Sequence, residues 1–374
     1  MTTRIQKTPE FRLKANTFGK KVVTFIASAA RRETNTTQEA VELLQGMRSP
    51  QRAVMEAISR INAKGLFDLV KDGKTTPSEI EKAIRQGADV NARDSQGRTL
   101  LMFAARENRL DLAKVLVKHD ADVNLRSDDD LAALNYAINK SHKDFVKFLI
   151  KSGADVNASD NPLFIALQNQ NNSEIVDELI KGGARVNSRH GDGWTPLMIA
   201  SHNGNVKVIE VLLSHDAHVN AKSDKGYTPL YLALHNNNVA AKVLIENGAS
   251  SRGLEEEFLG EKLFRAVDFG NVDFVRTLIK IGANINARNA NGQTPLGIVC
   301  RQENVYSRRD VQMVKYLLEN GADVNIRDNS GNTPLTTISS KKVTYDETRE
   351  IIELLKQHGA QVENDDGSKK EAVA

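Results

Sequence analysis

Two short apolar stripes, each with the three- and four-residue spacing of a helix, return together along this chain. In the stretch 190–220 the first stripe carries Leu197 and Ala200, three residues apart and so on one face. The second follows Gly204-Asn205 and carries Val208, Ile209, Leu212 and Leu213. The spacing predicts two short helices. Gly193-Trp194-Thr195-Pro196-Leu197 predicts the turn that opens the first of them. Thr195 offers an oxygen to the free amide groups of the first turn, and Pro196 suits a first helical position that needs no amide hydrogen. The small Ala200 leaves room for a neighbouring element to pack closely. Two helices of this length cannot bury both stripes alone, so the pattern requires stacked copies.

The copies are present. A Gly-Ala-Asp-Val-Asn string or a close variant recurs, its Ala falling at Ala88, Ala121, Ala154, Ala184, Ala217, Ala249, Ala283, Ala322 and Ala360. Successive differences are 33, 33, 30, 33, 32, 34, 39 and 38, so one 33-residue repeat accounts for every step with small insertions and deletions. The Gly before the marker Ala, as in Gly183, Gly248, Gly282 and Gly321, suits the left-handed residue that ends a helix. Asp120 and Asp216 take that place twice, and Asp also visits this region. The two longest intervals put their added residues near 303–310 and 341–348, between the helices of their repeats, and predict longer loops there.

Thr195-Pro196-Leu197, Thr228-Pro229-Leu230, Thr294-Pro295-Leu296 and Thr333-Pro334-Leu335, together with the Gly-Ala-Asp-Val-Asn ends, give the chain a resemblance to the ankyrin repeat family. The resemblance covers 66–363 and implies an all-α solenoid of helix pairs with β-hairpin fingers and a concave face. Thr99-Leu100-Leu101, Ala132-Ala133-Leu134 and Asn161-Pro162-Leu163 are weaker starts, and Glu261-Lys262-Leu263 has lost the Thr-Pro pair altogether. The stretch 66–73 followed by Thr76-Pro77-Ser78-Glu79 reads as a capping repeat whose helix opens with a capping box, with Ile80, Ala83 and Ile84 facing inward. Asn124, Asn157, Asn187, Asn220, Asn286 and Asn325 each follow a Leu by eight residues, similar to ankyrin sites modified by asparaginyl hydroxylases. Their simpler role is to satisfy backbone groups in the turn.

Residues 1–65 are expected to form a small helical extension, with helices over 20–32, 37–45 and from Ser49-Pro50 to Gly65; nothing in them names a role. Residues 364–374 are polar and short of apolar side chains, which predicts a disordered tail. Charge is uneven: 1–65 hold twelve Lys or Arg against five acids, +7, and since the whole chain carries +3 the remainder is −4. That asymmetry allows 1–65 to dock on an acidic membrane or partner, although a solvated helical cap is the simpler account. The basic residues are spread out with no aromatic interleaving, which does not favour nucleic acid. The run 22–30 falls far short of the roughly 20 apolar residues that span a bilayer. A single cysteine, Cys300, cannot form an internal disulfide and fits a reducing, cytoplasmic compartment.

Candidate chemistry is sparse. Gly73-Lys74-Thr75 lacks the upstream Gly of a phosphate loop, and Gly191-Asp192-Gly193 is a hairpin tip. Cys300 sits where the first helix of a repeat carries a small packing residue, so a buried thiol is expected rather than a nucleophile. His215 and His218 lie across a helix end with too few partners for a metal, and His202 and His235, 33 residues apart, are set for recognition rather than shared ligation. No cofactor or metal is expected, and no enzyme activity. What remains is binding. Solvent-facing positions near the end of the first helix read Gln168-Asn169, His202-Asn203 and His235-Asn236 in the middle of the array, neutral and polar, as suits hydrogen bonding to a protein surface. Trp194 and Tyr227 occupy the same place in neighbouring repeats, directly before Thr195 and Thr228, where large rings serve as interface anchors. The resemblance implies a monomeric scaffold that holds a protein partner with its fingers and concave face. The rival is a bacterial effector or adaptor, acting in host cytosol, whose residues 1–65 carry membrane docking or an activity.

Overall fold

The computed structural model describes Phe67, Val70, 75–158, 161–169, 172–236, 238–301, 307–340, 345–363 and 369–370; the helices expected within 1–65 lie outside these residues. The chain divides into two compact units, Met1–Pro162 and Leu163–Ala374.

In the first unit, α1 (Pro77–Arg85) is followed by two helix pairs, α2 (Leu100–Arg106) with α3 (Leu110–Lys118) and α4 (Ala133–Asn139) with α5 (Lys143–Lys151). Inner helix α2 packs on inner helix α4, and outer helix α1 on outer helix α3. The second unit begins within helix α6 (Pro162–Ala166). Its outer partner α7 (Ser173–Lys181) is followed by the pairs α8 (Pro196–His202) with α9 (Val206–Ser214), α10 (Pro229–Asn236) with α11 (Asn238–Glu246), α12 (Glu256–Asp268) with α13 (Val272–Lys280), α14 (Pro295–Arg301) with α15 (Arg308–Glu319), and α16 (Pro334–Ser339) with α17 (Asp346–Gln357). Within each unit the even-numbered helices form the inner row and the odd-numbered ones the outer.

The residues that predicted these boundaries make them. The Oγ1 atoms of Thr99, Thr195, Thr228, Thr294 and Thr333 accept the amide three residues on, at 3.1 to 3.4 Å. Thr76 and Glu79 close the expected capping box, the Thr76 amide donating to Glu79 Oε2 at 2.8 Å. At the other ends Gly183, Gly248, Gly282 and Gly321 take φ of 88° to 99°, and Asp120 and Asp216 take 64° and 60°. Leu197, Ala200, Val208, Ile209 and Leu212 are buried, while Leu213 is half-buried. Each fully buried aliphatic side chain contributes about 1.5–3 kcal/mol, and the stacked layers supply the surface that one helix pair lacks.

The repeat-end asparagines tie one repeat to the next. Asn124 Nδ2 donates to the Gly153 carbonyl at 3.0 Å while its Oδ1 accepts the Asp155 amide at 2.8 Å. Asn187, Asn220, Asn286 and Asn325 do the same to the following repeat. Arg252 holds the corresponding place after Asn220, and there the series breaks.

One expectation is refined. Where the 39- and 38-residue intervals fall, added residues go partly into helix: α15 and α17 are twelve residues long against nine in α9 and α13, because a Ser307–Asp310 capping box starts α15 early. The rest of the insertions, 302–306 and 341–344, lie outside the described residues. Within 364–374, Lys369–Lys370 (β2) pairs antiparallel with Val362–Glu363 (β1).

Candidate partner-binding surface

Fingers between the helix pairs are short hairpins closed by backbone bonds. His190 and Trp194 exchange amide and carbonyl at 2.9 Å in both directions, and Ser223 donates to the Tyr227 carbonyl at 2.9 Å. Gly191 and Gly193 turn the chain with φ of 52° and 78°. Neighbouring fingers are laced together: the Asp224 amide donates to the Asp192 carbonyl at 2.9 Å, and Arg189 reaches both the Lys222 carbonyl at 3.1 Å and Asp224 Oδ1 at 2.9 Å. This framework fixes the residues immediately before Thr195 and Thr228.

Trp194 and Tyr227 are therefore held at the junction of finger and inner helix, each half-buried. Trp194 stands edge-on to His202, with centroids 5.6 Å apart and planes at 80°. Tyr227 stacks on Tyr231 at 5.0 Å and 4°, and Tyr231 stacks in turn on Phe258 at 5.1 Å. His235 meets the edge of Tyr231 at 4.9 Å and lies 5.0 Å from Phe258. Ring separations of this size stabilise a pair by about 0.5–1.5 kcal/mol beyond area burial.

Gln168, Asn169, His202, Asn203 and His235 are exposed, as expected; the side chain of Asn236 lies outside the described residues. Asn203 turns its amide to the Leu167 carbonyl at 3.2 Å, beside Gln168, so it also holds the inner row together. Among the described residues the predicted rings separate into two groups, Trp194 with His202 and Tyr227 with His235 through Tyr231.

In the sequence Tyr231 and Phe258 do not stand out at all, and Lys262 only as part of the lost Thr-Pro start. The first two complete the stack, and Lys262 Nζ lies 4.9 Å from the Phe258 ring centroid. One signal was available: Tyr227, Tyr231 and His235 recur at four-residue spacing, which puts Tyr231 and His235 on one face of α10 in line with Tyr227 just before it. Phe258 had none, since only the extension of α12 beyond the usual helix start brings it onto Tyr231. Partial burial, and then the charge of Lys262, hold the His235 imidazole below its ordinary pKa, while Glu261 pulls the other way. The ring is therefore neutral at neutral pH and offers one donor and one acceptor.

The family profile for Ankyrin repeats (3 copies) matches 66–160, 163–252 and 263–366, well over half of the chain. The chain belongs to the ankyrin-repeat family. Ankyrin repeats are protein-interaction modules, which agrees with a surface of rings and neutral polar groups. The match is interrupted over 253–262, the segment that carries Phe258 and Lys262. No curated protein matches the chain. Among the described residues no cluster of His, Cys, Asp and Glu suits a metal, and no helix is long and apolar enough to cross a membrane.

Proposed function

We propose that this ankyrin-repeat chain is a non-enzymatic, cytoplasmic scaffold, acting as a monomer, that holds a protein partner on the finger-and-inner-helix surface of its second compact unit. Trp194 and Tyr227 anchor the contact. His202, Asn203, His235, Asn236, Gln168 and Asn169 supply donors and acceptors around them. One observation carries this reading: rings of two neighbouring repeats are fixed at equivalent positions by the hairpin hydrogen bonds and yet keep part of their surface in solvent. Aromatic side chains held rigid in this way lose little conformational freedom on binding and are enriched among interface hot spots.

The test uses the full chain as bait, with Trp194→Ala and Tyr227→Ala combined, against whatever partner the parent captures, by measuring its Kd. Binding weakens at least tenfold, about 1.4 kcal/mol, while Tm falls by only the few degrees expected from losing one edge contact and one stack. Unchanged affinity, or a collapse of Tm, would show that the rings only cover the hairpins.

A further inference from the structure

The row of fingers has a gap between α10 and α12. Elsewhere successive fingers are joined by a backbone bond, Asp224 to Asp192 and Asn329 to Asn291, and by an Arg reaching across, Arg189 to the Lys222 carbonyl and Arg288 to the Arg327 carbonyl. After Tyr227 the chain instead makes a turn closed by the Leu254 amide on the Ser251 carbonyl and enters α12 at Glu256. That helix runs through the place where other repeats have finger and Thr-Pro start, so Lys262 occupies the position held elsewhere by Pro196, Pro229, Pro295 and Pro334. Helices α10 and α12 meet through the side chains of Tyr231, His235 and Phe258, and the charge of Lys262 acts on His235 across them.

Lys262 is the unusual member. Its side chain is only 6 % exposed, and among the described residues its ammonium has one ion-pair contact, Glu261 at 3.5 Å, whose own side chain is 61 % exposed. The face of Phe258 lies beside it. The carbon stem of Lys262 is packed away, and with only a long contact to a solvent-facing carboxylate the ammonium at its end keeps donor capacity for a further anion. The recess is not closed: Tyr227, Tyr231 and Phe258 are half-buried and His235 is exposed.

We propose that this recess binds a carboxylate carried next to an apolar or aromatic group, as presented by an acidic residue beside a hydrophobic one in a partner peptide. Lys262 pairs with the carboxylate, and Tyr231, Phe258 and His235 receive the adjoining apolar group. The assignment rests on the proposed partner-binding function and gives its chemistry. A single cation with Glu261 beside it suits one negative charge; a phosphate dianion calls for several cations, as in arginine clusters.

The probes are 3-phenylpropionate, its neutral amide 3-phenylpropanamide, the cation 2-phenylethylammonium and phenyl phosphate. Each is titrated into the full chain and followed by saturation-transfer NMR and by the ring signals of His235. The carboxylate binds saturably and shifts His235, at least tenfold more tightly than the amide or the ammonium. Lys262→Met, checked for folding by circular dichroism, removes the discrimination between carboxylate and amide. Equal affinity for amide and carboxylate in the parent, no binding of the carboxylate, or tighter binding of phenyl phosphate each overturns the proposal without reliance on any variant. If discrimination fails while the Trp194 and Tyr227 double replacement still loses its partner, this assignment falls and the proposed function stands. Loss of the reverse kind separates them equally well.

Discussion

Asn124→Ala removes two hydrogen bonds at once, because one side chain serves both the Gly153 carbonyl, at 3.0 Å, and the Asp155 amide, at 2.8 Å. A net hydrogen bond contributes about 0.5–1.5 kcal/mol, and both of these lie at an exposed edge, so the pair should contribute about 1–2 kcal/mol in total. Asn124→Asp is the sharper comparison. It keeps an oxygen for the Asp155 amide but sets a second oxygen, in place of the amide donor, against the Gly153 carbonyl, so it should destabilise by at least as much as Ala. Urea unfolding followed by circular dichroism reads the total, and the exchange rate of the Asp155 amide reads the local part, which should rise by about tenfold. With an m-value of about 2–3 kcal/mol/M the midpoint should fall by about 0.5 M. An Ala variant within about 0.3 kcal/mol of the parent, or an Asp variant as stable as the parent, would refute the view that these asparagines couple one repeat to the next.

Glu81 gives a pH test: its carboxylate is held at about 2, first by the hydrogen bond to His119 and then by that to Lys118. Because the folded value lies below the unfolded one, near 4.5, its stabilisation is present above pH 4.5 and is lost as pH falls toward 2. Urea midpoints of parent and Glu81→Gln should therefore differ most above pH 4.5 and converge on acidification; a difference that stays constant down to pH 2.5 contradicts the assignment. Cys300 is buried in α14. Its thiol should react with Ellman's reagent only when the chain is unfolded in urea, and fast reaction of the native chain would place it at the surface.

The array was legible in the sequence because each repeat folds by local rules. Thr-Pro-Leu starts, left-handed Gly or Asp ends and 3.6-residue stripes act within a few residues, and the fixed interval places each solution beside the next copy of itself. Trp194 and Tyr227 could be placed at the junction of finger and helix for the same reason. Tyr231 and His235 continue the four-residue line from Tyr227, but that spacing reads equally as packing until a neighbour is known. Phe258 and Lys262 could not be found this way. Their repeat has lost its Thr-Pro start, the helix therefore begins earlier, and that extension carries Phe258 onto Tyr231, with the Lys262 ammonium beside its ring. A helix start written in a motif can be read along the chain. How far a helix runs without one, and which rings it meets there, depends on the surface of the preceding repeat, which the sequence places 27 residues away from Phe258 at Tyr231.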